Sequence, residues 1–207
     1  MREKRAYHHG DLRQALVDAA VAIIEKKGPV ALTLREVARR VGVSQAAPYH
    51  HFPNKDAILA AVAEEGFVKL AAAMDDARAA AGSAARARLR AIGIGYVRFA
   101  VRHPSHFRVM FAGTVAIAEY PTLFEAAQRS FGILIDSVLM AQTANVLPEG
   151  PPVEPAVLSW SMMHGLAMLH VNGIMEKPGG PVGSIDHLAE AGAEAIVRGL
   201  EIPPAPS

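Results

Sequence analysis

The stretch from Thr33 to Lys55 leaves the backbone few choices. Thr33-Leu34-Arg35-Glu36 is a capping box, in which the Thr hydroxyl and the Glu carboxylate satisfy orphan backbone N–H groups at the start of a helix. Ala38 is small where two helices cross, and Gly42 permits a turn at positive φ. Val37, Val41 and Val43 then pin the flanking helices at roughly a right angle. Ser44 is placed to cap a short third helix that reaches about His51 before Pro53 stops it. This is the pattern of a helix-turn-helix. Two ordinary short helices joined by a glycine turn share part of it, but not the continuation Tyr49-His50-His51-Phe52 followed by Lys55.

The rest of the 207-residue chain also reads as helix, because Ala, Leu, Arg and Glu dominate and apolar alternation is scarce. A first helix runs from Asp11 as N-cap to Gly28-Pro29, with Leu12, Leu16, Ala19 and Ile23 on one stripe. Asn54 caps a long helix, Lys55 to about Ala80, burying Ile58, Val62 and Leu70, and Gly82-Ser83 breaks it. A further helix ends at about His103, a short one covers Ser105 to Phe111, and another runs from Pro121 to about Ala144. The stretch 113–120 is ambiguous, and the loops 147–155 and 176–183 are rich in Pro and Gly. The last two helices occupy about 154–173 and 184–200, and the tail IPPAPS lies outside them. The expectation is an all-α chain of about nine helices: a three-helix helix-turn-helix domain, 1–55 with an arm at 1–10, then a helical domain, 56–203.

Charge separates the two parts. Up to residue 55 there are ten Lys/Arg against five Asp/Glu, and beyond it eleven against fifteen, so the N-terminal quarter suits a polyanion. Hydrophobic residues make up 51% and charged residues 20%, which argues for a folded chain, and the absence of Cys removes disulfide and thiol chemistry. The longest nearly uncharged apolar stretch, Val109 to Ala118, is about half of what a bilayer requires, and no apolar run follows the charges of MREKRAYHHG. The expected compartment is the cytoplasm, with no membrane partner.

The segment from Asp11 to Glu65 resembles the tetracycline-repressor (TetR) family of transcriptional regulators. The residues that carry the resemblance are Ala31-Leu32-Thr33, Val37-Ala38, Val41-Gly42-Val43-Ser44, Tyr49, His51-Phe52 and Lys55. The resemblance implies double-stranded DNA as partner, with Thr33, Tyr49 and Lys55 on phosphates and Arg35 and Gln45 on base edges. The chemistry is sensible: a helix N-terminus favours phosphate, Arg reads G, Gln reads A, and the methyls of Ala46 and Ala47 suit thymine. Ser44 and His51 share this expected DNA face, and His50 faces either DNA or solvent. Pro48 departs from the family's long aliphatic residue; in the first turn of the recognition helix it puts only one hydrogen bond at risk, so that helix is expected to survive. Arg2, Lys4 and Arg5 form an arm that either enters a minor groove or frays. The C-terminal half also resembles one TetR subgroup, through HPSHFRVMF at 103–111 and the run Trp160-x3-His164-Gly165.

Other chemistry finds little support. His103 and His106 straddle a proline and His164 and His170 are six apart, neither pair with the partners of a metal site, and nucleophile elbows, HExxH, Walker loops and GxGxxG are absent. No metal, cofactor or catalytic residue is called for, and an enzyme is not the expectation. Met and aromatic residues instead concentrate after position 95, as core or as the lining of an adaptable apolar cavity. Tyr96, Phe99, Phe107, Met110, Phe111, Phe124, Phe131, Trp160, Met163 and His164 are the candidate ligand-binding set, although His164 equally suits a satisfied core histidine.

The penultimate helix carries two apolar stripes, one through Trp160, His164, Ala167, Val171 and Ile174 and one through Leu158, Met162, Gly165, Leu169 and Gly173. One stripe serves its own domain and the other needs a partner. Leu158, Met162, Gly165 and Leu169, with Leu188, Gly192 and Ile196 of the last helix, form the expected homodimer interface. The reading is a sequence-specific regulator, a repressor released from a near-palindromic operator by a small, largely apolar effector. A small helical enzyme or ligand carrier, and an architectural DNA binder without effector, are the alternatives.

Overall fold

In this computed structural model residues 9–176 and 183–201 are described. The arm residues Arg2, Lys4 and Arg5, the tail 202–207 and most of the loop 176–183 lie outside them. The described residues hold eight α-helices and no strand: α1 (His9–Lys27), α2 (Leu34–Val41), α3 (Lys55–Ala80), α4 (Ala85–Arg102), α5 (Pro104–Phe111), α6 (Pro121–Thr143), α7 (Val153–Val171) and α8 (Ile185–Leu200). No described helix is long and apolar enough to cross a membrane. The chain divides into two compact units, residues 1–66 with 104–124, and 67–103 with 125–207.

In the first unit α1 buries Leu16, Ala20, Ile23 and Ile24, an i, i+4, i+7, i+8 stripe, and α2 adds Leu34, Val37 and Ala38. Phe52 is buried, with the Arg13 guanidinium 5.2 Å from its ring centroid. The first turns of α3 contribute Ile58, Leu59 and Val62 and are capped by Asn54 Oδ1, which accepts the Ala57 N–H at 2.8 Å. α5 seats Phe107, Val109 and Met110 in this unit. It approaches α3 so closely that a Cβ on Gly66 would lie 2.5 Å from Met110 Sδ.

Two local expectations need correction. α1 begins at His9, so Asp11 stands inside its first turn rather than at its cap. The third helix of the motif is a 3₁₀ turn, Ala47–His50, preceded by a turn at Gln45-Ala46. Its cap residue is Ala46, and Ser44 supplies only its carbonyl, to the Ala47 N–H at 3.1 Å. The cause is Pro48: it has no N–H to return to Ser44, so the segment closes i to i−3 bonds, Tyr49 N–H to Ala46 O at 3.1 Å and His51 N–H to Pro48 O at 3.0 Å.

In the second unit α4 packs on α7 and α8, and α7 on α8. Small residues set the spacing: a Cβ on Gly95 would lie 3.0 Å from the Ala73 carbonyl oxygen, and Met163 fills the space beside Gly93 and Gly192. Arg86 of α4 bridges Glu194 of α8 (2.7 Å) and Glu201, and Arg198 joins Glu194 at 2.7 Å. Ser184 caps α8 by accepting the His187 N–H at 3.2 Å.

Candidate functional site

The basic end of the first unit is built on two local devices. Thr33, at the N-cap of α2, accepts the Glu36 N–H at 3.2 Å, completing half of the expected capping box. The Glu36 carboxylate is instead taken by Lys27 Nζ at 2.6 Å, with Arg39 at 3.7 Å, and the Lys27 hydrogen bond holds it below the usual carboxylate range. At the other end Gly42 sits at φ +80°, and its N–H and that of Val43 both return to Ala38 O, at 3.0 and 3.1 Å. The chain is thereby turned sharply off α2.

This turn sets the exposed residues in one place. Thr33, Arg35 and Gln45 line an open concavity of about 480 Å³ with Lys27, Glu36, Arg39 and Val43. Ser44, Ala46, Tyr49 and His50 are also exposed, Ala47, His51 and Lys55 partly so, and Pro48 is buried. Lys55 Nζ donates to Val30 O at 2.7 Å, which fixes the ammonium at the start of α3 and leaves it further donors. Sequence reasoning missed Lys27 and Arg39, whose signal was their place in the last turns of α1 and α2.

In the second unit four of the candidate ligand residues meet. Tyr96 Oη is 2.8 Å from His164 Nδ1 and accepts the Trp160 indole N–H at 3.3 Å. The Trp160 and His164 ring centroids are 5.6 Å apart, and Phe131 meets Trp160 edge-on at 6.1 Å. Burial pushes the Tyr96 phenol well above its ordinary pKa and the His164 imidazole below its own. Phe99 is buried against the His103 ring at 5.3 Å, and Met163 is buried between α4 and α8. Phe107, Met110, Phe111 and Phe124 belong to the first unit, where Phe107 and Met110 are core and Phe124 is exposed.

The two stripes of α7 differ. Ala167 and Val171 are buried with Trp160 and His164 partly so, although Ile174, beyond the helix end, is exposed. Leu158, Met162 and Leu169 are 54%, 49% and 44% exposed, and Gly165 faces open space. On α8 Leu188 is partly exposed, Ile196 is buried, and Gly192 is turned toward Met163 of its own chain.

Residues 16–62 match the model of the bacterial regulatory proteins of the tetR family, and residues 89–196 that of the tetracyclin repressor-like C-terminal domain, which alone spans more than half of the chain. The chain belongs to the TetR family. Among relatives of this TetR protein, the HTH-type transcriptional regulator BetI of Rhizobium meliloti is 41% identical over 87 residues, 42% of this chain and 41% of the relative. The chain thus matches under half the length of that curated relative. A Rhodococcus sp. RHA1 protein of unknown function has the same fold at TM-score 0.83 and 34% identity, covering 96% of this chain and all of the other. The regulator FadR of Bacillus subtilis, solved with stearoyl-CoA, is alike in fold alone: TM-score 0.73, 16% identity, 91% and 99% covered.

Proposed function

We propose that this TetR-family chain is a DNA-binding transcriptional regulator, a repressor that leaves a near-palindromic operator when a small, largely apolar effector binds. The observation that carries the reading is the concavity in which Arg35 and Gln45, one from each side of the Gly42 turn, stand exposed beside Thr33. Arg35 and Gln45 are the base readers, with Ala46 and Ala47 against thymine methyls. Thr33, Tyr49 and Lys55 hold phosphates, together with Ser44, His50 and His51, and Lys27 and Arg39 add cations at the rim.

Residues 1–55 form the DNA-binding domain and 56–203 the effector-binding and dimerising domain, in the subgroup marked by Trp160-x3-His164-Gly165. The effector site is centred on Tyr96, Phe131, Trp160 and His164, supported by their mutual contacts. That apolar ligands suit the fold is in keeping with the stearoyl-CoA bound by FadR. The homodimer forms through the exposed stripe Leu158, Met162, Gly165 and Leu169 of α7 and the outward side of α8. The compartment is the cytoplasm, and the chain carries out no catalysis.

The test is a salt-titrated binding assay on DNA from immediately upstream of the gene, with wild type, Arg35→Ala and Lys55→Ala. Specific binding by the wild type, with a relaxed base preference in Arg35→Ala and a shallower salt slope in Lys55→Ala, supports the reading. Equal affinity of all three for every duplex overturns it.

A further inference from the structure

The concavity that carries Arg35 and Gln45 also holds a carboxylate, and an anion is out of place where DNA phosphates approach. Glu36 follows Arg35 directly, and its side chain is 20% exposed. Lys27 Nζ, from the last turn of α1, donates to Glu36 Oε1 at 2.6 Å. An Arg39 guanidinium nitrogen, from the last turn of α2, lies 3.7 Å from the same oxygen. Lys27 and Arg39, which line the concavity with Glu36, thus converge on one internal anion as they would on a phosphate oxygen. Their side chains are 53% and 79% exposed, so the pairs add little to stability and are weak enough to be exchanged.

We propose that Glu36 is an internal competitor of DNA phosphate for Lys27 and Arg39, which lowers the affinity for every duplex and leaves the base readers untouched. This rests on the DNA-binding reading above and deepens it. When the two cations turn to a phosphate, the Glu36 carboxylate loses their contacts and is left beside a second anion. Part of what each phosphate contact gains is thereby given back. The cost is the same for any sequence, because phosphates carry no sequence information. Arg35 and Gln45 remain the residues that distinguish one base pair from another. Lys55 differs from the rim cations: its Nζ donates to a neutral carbonyl, Val30 O, so its charge is offered to phosphate undiminished.

The experiment uses the full-length protein. Wild type, Glu36→Gln, Lys27→Met and the double variant are titrated with a duplex of arbitrary sequence and with DNA from upstream of the gene, each over a range of salt. Glu36→Gln keeps the size of the side chain and removes its charge. It is expected to bind both duplexes tighter by the same factor, roughly fivefold per subunit, with a salt slope steeper by about 1 per subunit. Lys27→Met is expected to cost little in the wild type and roughly fivefold in the Glu36→Gln background, where the ammonium has no carboxylate to leave. A role confined to bracing α1 against α2 gives Glu36→Gln a lower melting temperature with DNA affinity and salt slope unchanged. That result, or an equal loss from Lys27→Met in both backgrounds, overturns this inference and leaves the DNA-binding reading standing. A wild type that binds neither duplex removes that reading and this inference together.

Discussion

Gly42 shows how much a single position decides. Its φ of +80° lies where a side chain is strained, and nothing stands within 4 Å of an added Cβ, so Gly42→Ala tests backbone conformation alone. The expected loss is about 1–2 kcal/mol of stability, read from urea denaturation. Arg35 is the opposite case: it is exposed, so Arg35→Ala should leave the melting temperature unchanged. It should cost roughly 1–3 kcal/mol of operator binding, measured against sequences varied one base at a time. Lys55 stands between them, since its hydrogen bond to Val30 O ties down the start of α3; Lys55→Ala should lower the salt slope by roughly 1 and also lower thermal stability slightly. Thr33, Gly42 and Asn54 were legible in the sequence because each acts on backbone within three or four residues of itself. The partner of His164 was not, because Tyr96 is 68 residues away and no local pattern carries that pairing.

At the scale of elements, helices announced by periodicity and flanked by Gly or Pro appear within a few residues of their expected ends, as α3 and α6 illustrate. The third element of the motif forms as a 3₁₀ helix rather than an α-helix, since Pro48 has no N–H to return to Ser44 and the segment is short. Neither could the sequence assign α5 to the first unit, because burial of Phe107 and Met110 depends on what packs around them and not on their spacing. Helix crossings give a paired prediction. A Cβ on Gly95 meets the Ala73 backbone oxygen and Ala77 Cβ at 3.0 Å, so Gly95→Ala should destabilise by about 1–3 kcal/mol. Gly93→Ala meets the flexible Met163 side chain at 3.3 Å and should cost less, which denaturation midpoints of the two variants would show. The link between α4 and α8 is electrostatic and titrates. Arg86 and then Arg198 hold the Glu194 pKa down from 4.5 to about 2, so the stabilisation is present above about 4.5 and is lost as the pH falls through about 2. Both partners are partly exposed and the effect is correspondingly modest. Thermal melts of wild type and Glu194→Gln should therefore converge as the pH is lowered from 4.5 to 2, and a constant gap would remove the carboxylate from the account.

For the whole molecule the question is what covers α7. Leu158, Met162 and Leu169 place large apolar side chains in water at i, i+4 and i+11, with Gly165 between them facing open space. A continuous apolar stripe with a gap for close helix approach fits a second copy packed helix to helix. One helix-turn-helix contacts few base pairs, so pairing two about one turn of DNA, ~34 Å, apart is what makes recognition selective. Ile196 is a poor place to probe this, since it is buried within the chain, and a Cβ on Gly192 would come into ordinary contact with Met163 Sδ of the same chain at 3.7 Å. Met162 is the better probe: Met162→Glu adds a charge at the middle of the stripe, where it costs the monomer little and the dimer its desolvation. The variant should sediment as a monomer at micromolar concentration with an unchanged melting profile of its helices. It should bind a single half-site as wild type does and lose the added affinity that a full palindrome gives the wild type. A wild-type protein that is itself monomeric at that concentration would sink the interface, and a dimeric Met162→Glu would move it to another face.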